Sequence, residues 1–355
     1  MVTLGSLFDG LGAFPLAASR HGITPLWASE IEKAPISITK RHFPDMAHLG
    51  DVTKLHGGEI PPVDIVTFGS PCQNLSQIGY RAGLAGEQSG LFFDAIRIIN
   101  QMKEATNGEY PTIAIWENVA GAYSSSGGFD FRAVLEAFTG RKIPMPDVGG
   151  RWAPAGMATG FSPCVAWRLL DSRHFRCAQS RRRVFLVADY RGQRAPEILF
   201  NPTPLHEILK TSAESAHAFP AAGGNRPYYA GRRYADVYCF YHRKMRGAAQ
   251  HRSPAHFRTS VGKPGAPCPT LLTGDAQVIS VHYPDAPEKD HVRRLTPTEF
   301  EVLMGLPVGW TEFGHDDRQV SDSARYKALG NSIVVGCAEY IMAGVAAALR
   351  KQKGV

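Results

Sequence analysis

The fold is constrained most by an alternation of short apolar β-type runs and helical stretches over the first 190 residues. Six runs predict strands, at Thr3–Phe8, Thr24–Ala28, Asp64–Phe68, Thr112–Trp116, Val165–Leu170 and Val184–Ala188. Helices are predicted between them at Phe14–Arg20, Leu91–Lys103 and Phe131–Phe138. This alternation predicts an α/β fold with a mostly parallel sheet and helices on both faces.

The pattern changes after about residue 190. Residues 191–290 are rich in Pro, Gly, Tyr and Arg and lack helical periodicity, which indicates a smaller, irregular β-containing domain. Regular structure resumes at Thr296-Pro297-Thr298-Glu299, which has the residue order of a helix N-cap and first turn. A last long helix is predicted after Ser332, which we expect to cap it. The predicted domains are therefore residues 1–190 together with 291–355, and residues 191–290.

Positive charge is concentrated in the predicted second domain. The chain has a net charge of +7, and residues 225–263 alone hold nine Lys or Arg and one acid, Asp236. Tyr and Phe side chains are interleaved with these cations. A solvated basic face is the alternative interpretation, but the concentration in one segment favours a surface that follows nucleic-acid phosphates.

Several classes of protein are disfavoured by composition. The six cysteines form no Cys-x-x-Cys pair and have no zinc-type spacing to histidine, so we expect neither disulfides nor a metal site. No secretory signal opens the sequence. The most apolar stretch, Ile333–Leu349, contains Glu339 and many Gly and Ala residues, which favours a packed helix over a membrane span.

A thiol and a carboxyl group each follow a predicted strand. Cys72 lies in Gly69-Ser70-Pro71-Cys72-Gln73-Asn74-Leu75-Ser76, just after the strand ending at Phe68, and Glu117 directly follows the strand ending at Trp116. Adjacent strands that end in this way bring both groups to one edge of a sheet. A nucleophilic sulfur beside a general acid suits covalent attack on an electron-poor ring.

A second group of residues predicts a nucleoside cofactor. Gly10 and Gly12 form a turn after the first strand, where a ligand can approach the backbone. Glu30 stands at the end of the second strand, in position for a ribose, and Asp51 follows a further strand, in position for an adenine amino group. A two-glycine turn also occurs for structural reasons alone. The missing third glycine favours a small nucleoside cofactor over a dinucleotide.

Taken in order, these motifs resemble the DNA (cytosine-5)-methyltransferases of the bacterial and phage type. The resemblance covers residues 4–190 and 293–340. Its motifs are Ser6 to Gly12, Pro71-Cys72-Gln73, Glu117-Asn118-Val119, Gln179-x-Arg181-x-Arg183, Arg294-Leu295-Thr296-Pro297-x-Glu299 and Gly330-Asn331-Ser332. It implies a Rossmann-like S-adenosylmethionine-dependent domain, with residues 191–290 in the place of the target-recognition domain.

The resemblance also implies catalytic roles. Cys72 would add to carbon 6 of a cytosine flipped out of duplex DNA, and Glu117 would hold ring nitrogen 3 and supply a proton. Arg183, with Arg181 beside it, would grip the carbonyl oxygen and order the pocket. Carbon 5 would then take the methyl group of S-adenosylmethionine. The sequence identifies no base for the proton on carbon 5.

The remaining implied residues bind the cofactor or DNA. Ile31 stands where an aromatic residue often stacks on the adenine, and Val52 and Leu91 could equally be core residues. The cofactor set is Phe8, Gly10, Leu11, Gly12, Glu30, Ile31, Asp51, Val52, Pro71, Leu91, Asn331 and Ser332. The DNA set is Gln73, Ser76, Arg243, Lys244, Arg246 and Arg252.

Three other functions remain open from the sequence. The substrate could be RNA, as in tRNA-methylating relatives of this fold, although those lack a basic domain of this size. A non-catalytic nucleic-acid-binding protein is a second alternative, and a dehydrogenase is a distant third. We expect a cytoplasmic monomer that binds double-stranded DNA, without membrane or metal, in a bacterial or phage-infected cell. A partner restriction endonuclease is neither predicted nor excluded.

Overall fold

The computed structural model describes most of the chain. It covers residues 1–71, 90–147, 151–175, 177–200, 236–244, 257–261, 267–273, 277–282 and 291–352. For residues 236–244, 257–261, 277–282, 291–292 and 351–352 it describes the backbone alone.

An eight-stranded sheet forms the centre of the molecule, in the order β3-β2-β1-β4-β5-β9-β7-β6. Neighbours from β3 to β5 are parallel, whereas β9, β7 and β6 run antiparallel to their neighbours. The mostly parallel sheet and all six predicted strands are thereby confirmed. The strands are β1 Val2–Leu7, β2 Ile23–Ser29, β3 Ala47–His48, β4 Ile65–Phe68, β5 Ile113–Val119, β6 Ala155–Ala158, β7 Cys164–Asp171 and β9 Arg182–Asp189, and β8 Gln179–Ser180 pairs outside this sheet.

Helices cover both faces of the sheet. Those in the described residues are α1 Ala13–Arg20, α2 Lys33–His42, α3 Leu91–Ala105, α4 Phe129–Thr139, α5 Ala195–Phe200, α6 Pro297–Met304, α7 Asp322–Asn331 and α8 Val335–Gln352. One face packs against α3 and α4, and the other against α1 and α8. In α3, Phe92, Ile96, Ile99 and Met102 recur at helical spacing and are buried. Burying each such side chain contributes about 1.5–3 kcal/mol to folding.

The start of α6 confirms the predicted cap. The hydroxyl of Thr296 accepts from the backbone N–H of Glu299 at 3.2 Å, and the Glu299 carboxylate accepts from the N–H of Thr296 at 2.7 Å. Pro297 occupies the first turn. This reciprocal pair satisfies two N–H groups that the helix leaves without partners.

The expectation that Ser332 caps the last helix is wrong. Ser332 has extended backbone and ends α7, a helix that the sequence did not predict, and α8 begins only at Val335. The N–H of Ser332 donates to the carbonyl of Leu329, which closes the last turn of α7. Because of this hydrogen bond, Ser332 belongs to the end of α7 and not to the start of α8.

Residues 191–290 contribute to more than one structure. A four-stranded antiparallel sheet has the order β11-β10-β13-β14, with strands β10 Asp236–Lys244, β11 Phe257–Val261, β13 Gln277–His282 and β14 His291–Arg294. The short strand β12 Cys268–Pro269 instead pairs with β8, and α5 packs against α8. The expectation of no helix in this segment is wrong at α5, where buried Ile198 and Leu199 join the core. The predicted domain boundaries stay a prediction.

Strand β6 lies in the Gly- and Pro-rich stretch 140–163, for which the sequence predicts no element. It pairs antiparallel with β7 at the edge of the large sheet. Among the described residues, no single helix is long and apolar enough to cross a membrane. One bent pair, Asp322–Asn331 with Val335–Arg350, meets that test jointly by length and composition.

Candidate active site

The predicted site residues follow the order of the strands along one edge of the sheet. Asp51 lies beyond β3, Glu30 follows β2, and the glycine turn follows β1. Ser70 and Pro71 follow β4, and Glu117 lies near the end of β5. Strand β9 runs the other way, so its first residues reach the same edge. The topology therefore brings the two predicted groups, cofactor and catalytic, side by side.

Glu117 is a buried carboxyl group at this edge, with 8% of the residue exposed. A Cβ atom on Gly69 would lie 3.1 Å from its Oε2, so the carboxyl group faces the backbone three residues before Cys72. Burial raises the pKa of Glu117 above its ordinary value, and the guanidinium groups of Arg183 and Arg181 offset part of that rise. A carboxyl group that holds its proton to higher pH can act as a general acid.

Arg183 contacts Glu117 directly. Its Nε lies 3.1 Å from Oε1 of Glu117, and its Nη1 donates to the carbonyl of Arg182 at 2.8 Å. The Arg183 side chain is 17% exposed. It therefore contacts the buried Glu117 and is also partly accessible at this edge of the sheet. The structure thus joins two of the predicted catalytic residues.

Arg181 has a different environment from the one expected of a substrate contact. It is 3% exposed, and its guanidinium donates to the backbone carbonyls of Leu271, Gly330 and Ser332 at 2.9 to 3.1 Å. These bonds tie Arg181 to two segments that are distant from it in sequence, one at Leu271 and one at Gly330 to Ser332. Arg181 is therefore a residue that holds the site in place by its contacts with the backbone.

The segment that leads to Cys72 is held by β5. The indole N–H of Trp116 donates to the Ser70 hydroxyl at 3.2 Å, and the amide of Asn118 donates to the Ser70 carbonyl at 3.1 Å. Both donors are buried. These contacts were not predicted from the sequence. The one indication of them was that Trp116 and Asn118 are the direct neighbours of Glu117 on the same strand.

The turn after β1 has the backbone conformation that a close ligand requires. Phe8, Gly10 and Gly12 have φ values of 54°, 57° and 73°. Such a value is unusual for Phe and marks a constrained turn. A Cβ atom on Gly10 would have no neighbour within 4 Å among the described residues, so space is open beside it.

Glu30 is oriented toward this turn. Its Oε2 accepts from the N–H of Gly10 at 2.9 Å, and its Oε1 accepts from the N–H groups of Ile31 and Glu32 at 2.8 and 3.0 Å. Three donors hold the carboxylate at the edge, where an accepting group for a ribose hydroxyl pair is expected. The turn, the open space and this acid fit a nucleoside cofactor.

The residues expected around the adenine differ in how far they are exposed to solvent. Ile31 is 69% exposed, in keeping with a side chain that covers a ligand. Asp51 is half-buried, and hydrogen bonds from the N–H and hydroxyl of Thr53 lower the pKa of its carboxyl group. Val52 is 4% exposed and packs in the core, as does Leu11, which is fully buried.

The rest of the cofactor set also reaches this edge of the sheet. Leu91 is the first residue of α3 and is half-buried, whereas Pro71 and Asn331 are exposed. Ser332 is buried, and its carbonyl is held by Arg181. The side chain of Ile333 would lie 3.6 Å from a Cβ atom on Gly69, which brings the C-terminal motif next to the Cys72 segment.

Asp9 is a feature of this edge that the sequence did not single out. The residue is 9% exposed, and neither carboxyl oxygen has a hydrogen-bond partner in the described part of the chain. Burial raises the pKa of Asp9 to about 7; the nearby Ser6 hydroxyl opposes this rise and the Glu30 carboxylate adds to it. A buried carboxyl group without a partner is uncommon and calls for an explanation.

Several predicted residues lie outside the described residues, namely Cys72, Gln73, Ser76, Arg246 and Arg252. The side chains of Arg243 and Lys244 are also outside them, although their backbone lies at the end of β10. Within the described ranges, no group of three or more His, Cys, Asp or Glu side chains could hold a metal ion.

Ligands of open α/β sheets bind where the strand order reverses. Here that point lies between β1 and β4, with the glycine turn on one side and Gly69 on the other. The fold and the site therefore define an open α/β protein with a ligand site at its switch point. A family model described as C-5 cytosine-specific DNA methylase matches residues 2–142 and 157–346, and the chain belongs to this family.

Individual relatives differ in how much of them is matched. The chain is 33% identical over 219 residues to the DNA N-6-adenine-methyltransferase of Escherichia phage P1, which covers 54% of this chain and 29% of that protein. It is 31% identical over 192 residues to the type II methyltransferase M.NlaIV of Neisseria lactamica, covering 54% and 40%. The chain thus spans well under half the length of these two relatives. The type II methyltransferase M.Bsp6I of Bacillus sp. strain RFL6 is 24% identical over 341 residues, covering 94% and 95%.

Solved structures share the fold. A DNA modification methyltransferase encoded within an E. coli prophage superimposes with a TM-score of 0.58 at 17% identity, covering 99% of this chain and 100% of that chain. The Dnmt2 methyltransferase of S. pombe gives a TM-score of 0.58 at 16% identity and covers 100% of both chains. These similarities confirm the predicted fold class.

Proposed function

We propose that this protein transfers a methyl group from S-adenosylmethionine to carbon 5 of a cytosine flipped out of a short duplex DNA site, through a covalent Cys72 adduct. The observation that carries the proposal is the buried Glu117 carboxyl group, which faces Gly69 at the start of the Cys72 segment and contacts Arg183. Membership of the C-5 cytosine-specific DNA methylase family supports the choice of base and atom.

In the proposed reaction, the Cys72 thiolate bonds to carbon 6 of the cytosine while the Glu117 carboxylic acid gives its proton to ring nitrogen 3. S-adenosylmethionine, when bound, would supply the methyl group that carbon 5 accepts; its sulfur–methyl bond breaks, the electron pair stays on sulfur, and S-adenosylhomocysteine leaves. A base, for which water is a candidate, then removes the proton from carbon 5. The Cys72–carbon 6 bond breaks, and nitrogen 3 returns its proton to Glu117.

Arg183 and Arg181 have separate tasks in this proposal. Arg183 touches Glu117 and is partly exposed, so it is the residue that would reach the cytosine carbonyl oxygen. Arg181 acts as a positioning residue through its three backbone acceptors. On the cofactor side, Glu30 would accept from the ribose hydroxyls, and the backbone of residues 8–12 would lie along the methionine part.

DNA binding in this proposal is assigned to the basic segment 225–263 and to Gln73 and Ser76 beside the nucleophile. The strongest support for a duplex substrate is the family itself and the concentration of nine cations in that segment. Phosphate contacts of this kind weaken steeply with added salt.

Two other substrates remain to be separated from this one. An RNA substrate would use the same chemistry. Methylation of adenine N6 is suggested by the name of the phage P1 relative, of which the chain spans 29%. Attack by an exocyclic amine needs no enzyme thiolate, so an essential Cys72 would favour cytosine over adenine.

The test is to incubate the protein with isotopically labelled S-adenosylmethionine and either mixed-sequence duplex DNA or tRNA, and to identify the labelled nucleoside by mass spectrometry. The proposal predicts label in 5-methylcytosine from duplex DNA. Label in tRNA alone, in N6-methyladenine, or in neither nucleic acid would reject it. Cys72→Ala is the control. Label that appears with wild type and is lost with this variant requires Cys72, whereas label that persists would come from a contaminating enzyme or from a reaction without the Cys72 adduct.

The setting of the reaction is also a proposal. Type II relatives and an orphan methyltransferase of Bacillus phage rho11s both resemble the chain, so a cognate restriction endonuclease and an orphan enzyme are both open. We propose a monomer that acts without a metal ion on bacterial or phage DNA in the cytoplasm. Size-exclusion chromatography with light scattering would measure the oligomeric state.

A further inference from the structure

We propose that Arg97 positions the turn after Asp51 and thereby sets the preference of the cofactor site for the amino group of adenine. Arg97 lies in α3 and is absent from the residues that the sequence assigns to the cofactor. This inference rests on the proposed function, because it requires an adenosyl cofactor whose adenine lies beside Asp51. Arg97 is a positioning residue here, since it acts through Asp51 and the backbone.

The two carboxylate oxygens of Asp51 differ in what they contact. Asp51 opens a short 3-10 turn, Val52–Lys54. Its Oδ1 accepts from the N–H of Thr53 at 3.0 Å and from the Thr53 hydroxyl at 2.8 Å. Within the described residues, Oδ2 accepts no hydrogen bond. The carboxylate is therefore held through one oxygen, and the other keeps its capacity to accept from an amino group.

The guanidinium of Arg97 binds both ends of this turn. Its Nη1 donates to the carbonyl of Leu55, the residue after the turn, at 2.6 Å. Its Nη2 donates to the carbonyl of Val52, the first residue of the turn, at 3.3 Å. Hydrogen bonds from a charged donor are stronger than those between neutral groups, and a planar guanidinium presents its donors in fixed directions. Arg97 therefore restrains the turn that Asp51 opens.

The side chain of Arg97 is itself held by its neighbours on α3. The Asp94 carboxylate accepts from Nε and Nη2 of Arg97 at 3.3 and 2.9 Å, and Oε1 of Gln101 accepts from Nη1 at 3.2 Å. The same Gln101 oxygen accepts from the N–H of Gly57 at 2.9 Å. A Cβ atom on Gly57 would lie 2.0 Å from the carbonyl oxygen of Ile98, so the backbone passes directly over the helix. The turn and the segment that follows it are thus fastened to α3.

This arrangement links two parts of the predicted cofactor site. Helix α3 begins at Leu91, which the sequence assigns to the cofactor, and Asp94 lies one turn later. The pair of Asp94 and Arg97 therefore connects the start of α3 to the turn at Asp51. Hydrogen-bond strength depends steeply on distance and angle, so a small shift of this turn weakens the contact between Asp51 and an amino group. The effect of losing Arg97 should be confined to that contact.

The experiment compares two ligands by isothermal titration calorimetry of the full chain. They are S-adenosylhomocysteine and its analogue with hydrogen in place of the adenine amino group. Wild type should bind the analogue about tenfold less tightly, which measures the amino-group contact itself. We expect Arg97→Met to weaken S-adenosylhomocysteine by about five- to tenfold and to leave the analogue within about twofold. Arg97→Lys keeps the charge but not the fork, so its loss should be smaller.

Arg132→Met is the matched control. Arg132 lies on α4 and pairs with Glu136 at 3.8 Å, and its side chain is 31% exposed, against 35% for Arg97. An exposed ion pair of this kind contributes little, so both ligands should bind the control within about twofold of wild type.

A double-mutant cycle with Asp51→Asn tests whether Arg97 acts through Asp51. Asn keeps an oxygen that caps the turn and replaces the second oxygen with an NH₂ group, which cannot accept from adenine. In this background, Arg97→Met should change the affinity for S-adenosylhomocysteine by less than about twofold, because the contact that Arg97 positions is already absent. Equal losses with and without Asp51→Asn would overturn the inference.

The remaining outcomes are distinct. Unchanged affinity of Arg97→Met for S-adenosylhomocysteine, equal weakening of both ligands, or equal affinity of wild type for the two ligands would each overturn the inference and leave the proposed function standing. If wild type bound neither ligand, the proposed function would fail and the inference with it. Retained binding of the analogue shows that Arg97→Met is folded. If that variant did not fold, the same comparison with Arg97→Lys would apply, and equal weakening of both ligands would again overturn the inference.

Discussion

Oε1 of Glu117 lies 3.1 Å from Nε of Arg183, across the edge where β5 and β9 run antiparallel. In the pairing of these strands, Arg183 stands opposite Val119, so its side chain reaches back two residues to the carboxyl group. Both side chains are largely buried. Burial raises the pKa of Glu117 even though the Arg183 guanidinium beside it acts to lower that pKa. A carboxyl group with a raised pKa keeps its proton to higher pH, as the proposed role of Glu117 as a general acid requires.

The first prediction concerns Glu117. Glu117→Gln should reduce methyl transfer by about 10²–10⁴-fold, because an amide cannot protonate ring nitrogen 3. In wild type, the raised pKa keeps the group protonated to higher pH, so the step that depends on it should fail as the pH rises through that pKa. Initial rates against pH test both statements.

Glu109→Gln is the matched control, since Glu109 is exposed before β5, at the opposite edge of the sheet. It should leave the rate within about twofold. If Glu117→Gln retained a wild-type rate and pH profile, the role of this carboxyl group as the acid would be wrong.

The second prediction concerns Arg181, whose guanidinium donates to three backbone carbonyls. Arg181→Met removes these charge-assisted bonds and leaves buried acceptors without partners. The free energy of unfolding should therefore fall by at least about 3 kcal/mol. Urea denaturation measures it, with exposed Arg191→Met as control, for which about 0.5 kcal/mol or less is expected. Unchanged stability with lost activity would show that Arg181 contacts substrate instead.

The third prediction compares two acids that are close in sequence. Glu30 accepts three backbone N–H groups and faces the glycine turn, whereas Glu32 makes an exposed ion pair with Lys327 at 2.9 Å. Glu30→Gln should weaken S-adenosylhomocysteine binding about tenfold or more, and Glu32→Gln by less than about threefold. Isothermal titration calorimetry measures the affinity of each variant for S-adenosylhomocysteine. Equal losses of affinity in the two variants would show that Glu30 does not bind the ribose.

The fourth prediction is a pH dependence of stability without ligand. The pKa of Asp9 is raised from 3.8 to about 7 in the folded protein, so its ionisation opposes folding. The folded state then binds more protons than the unfolded state between these values, and the free energy of unfolding falls as the pH rises through that window. At about pH 8, Asp9→Asn should be more stable than wild type by about 2–4 kcal/mol.

Near pH 3, below both pKa values, the acid is largely protonated in the folded and the unfolded state, so Asp9→Asn and wild type should differ little. Urea melts at the two pH values measure the difference between them. A variant that is less stable than wild type at about pH 8 would contradict the assignment of Asp9 as a buried acid without a partner.

Much of the large domain was predictable from the sequence because its strands are short apolar runs that the sheet buries on both faces. The residue order from Thr296 to Glu299 predicted the start of a helix, and the structure confirms it. Helix α7 was missed because its few buried residues, among them Ala328 and Leu329, form no clear apolar stripe. Strand β6 was missed because Gly156 and its neighbours have little β propensity, and the pairing with β7 supplies the stability instead.

The site was predictable to the level of which residues share an edge, since that follows from strand order. What each side chain contacts was not. Arg181 and Arg183 are two residues apart and look equivalent in sequence, yet one holds three backbone carbonyls and the other holds Glu117. The difference arises from segments distant in sequence, at Leu271 and Gly330. Asp9 was overlooked for the same reason, because its burial and lack of a partner depend on how the turn packs.

The most direct test of the central claim is covalent trapping on DNA in which 5-fluorocytosine replaces cytosine throughout a mixed-sequence duplex. Fluorine at carbon 5 cannot leave as a proton does, so an adduct that has accepted the methyl group stays bound to the enzyme. Covalent catalysis by Cys72 predicts a denaturation-resistant complex that requires S-adenosylmethionine, maps by peptide mass spectrometry to Cys72 and is absent in Cys72→Ala. A complex attached at another residue, or none under conditions in which methyl transfer is measured, would contradict it.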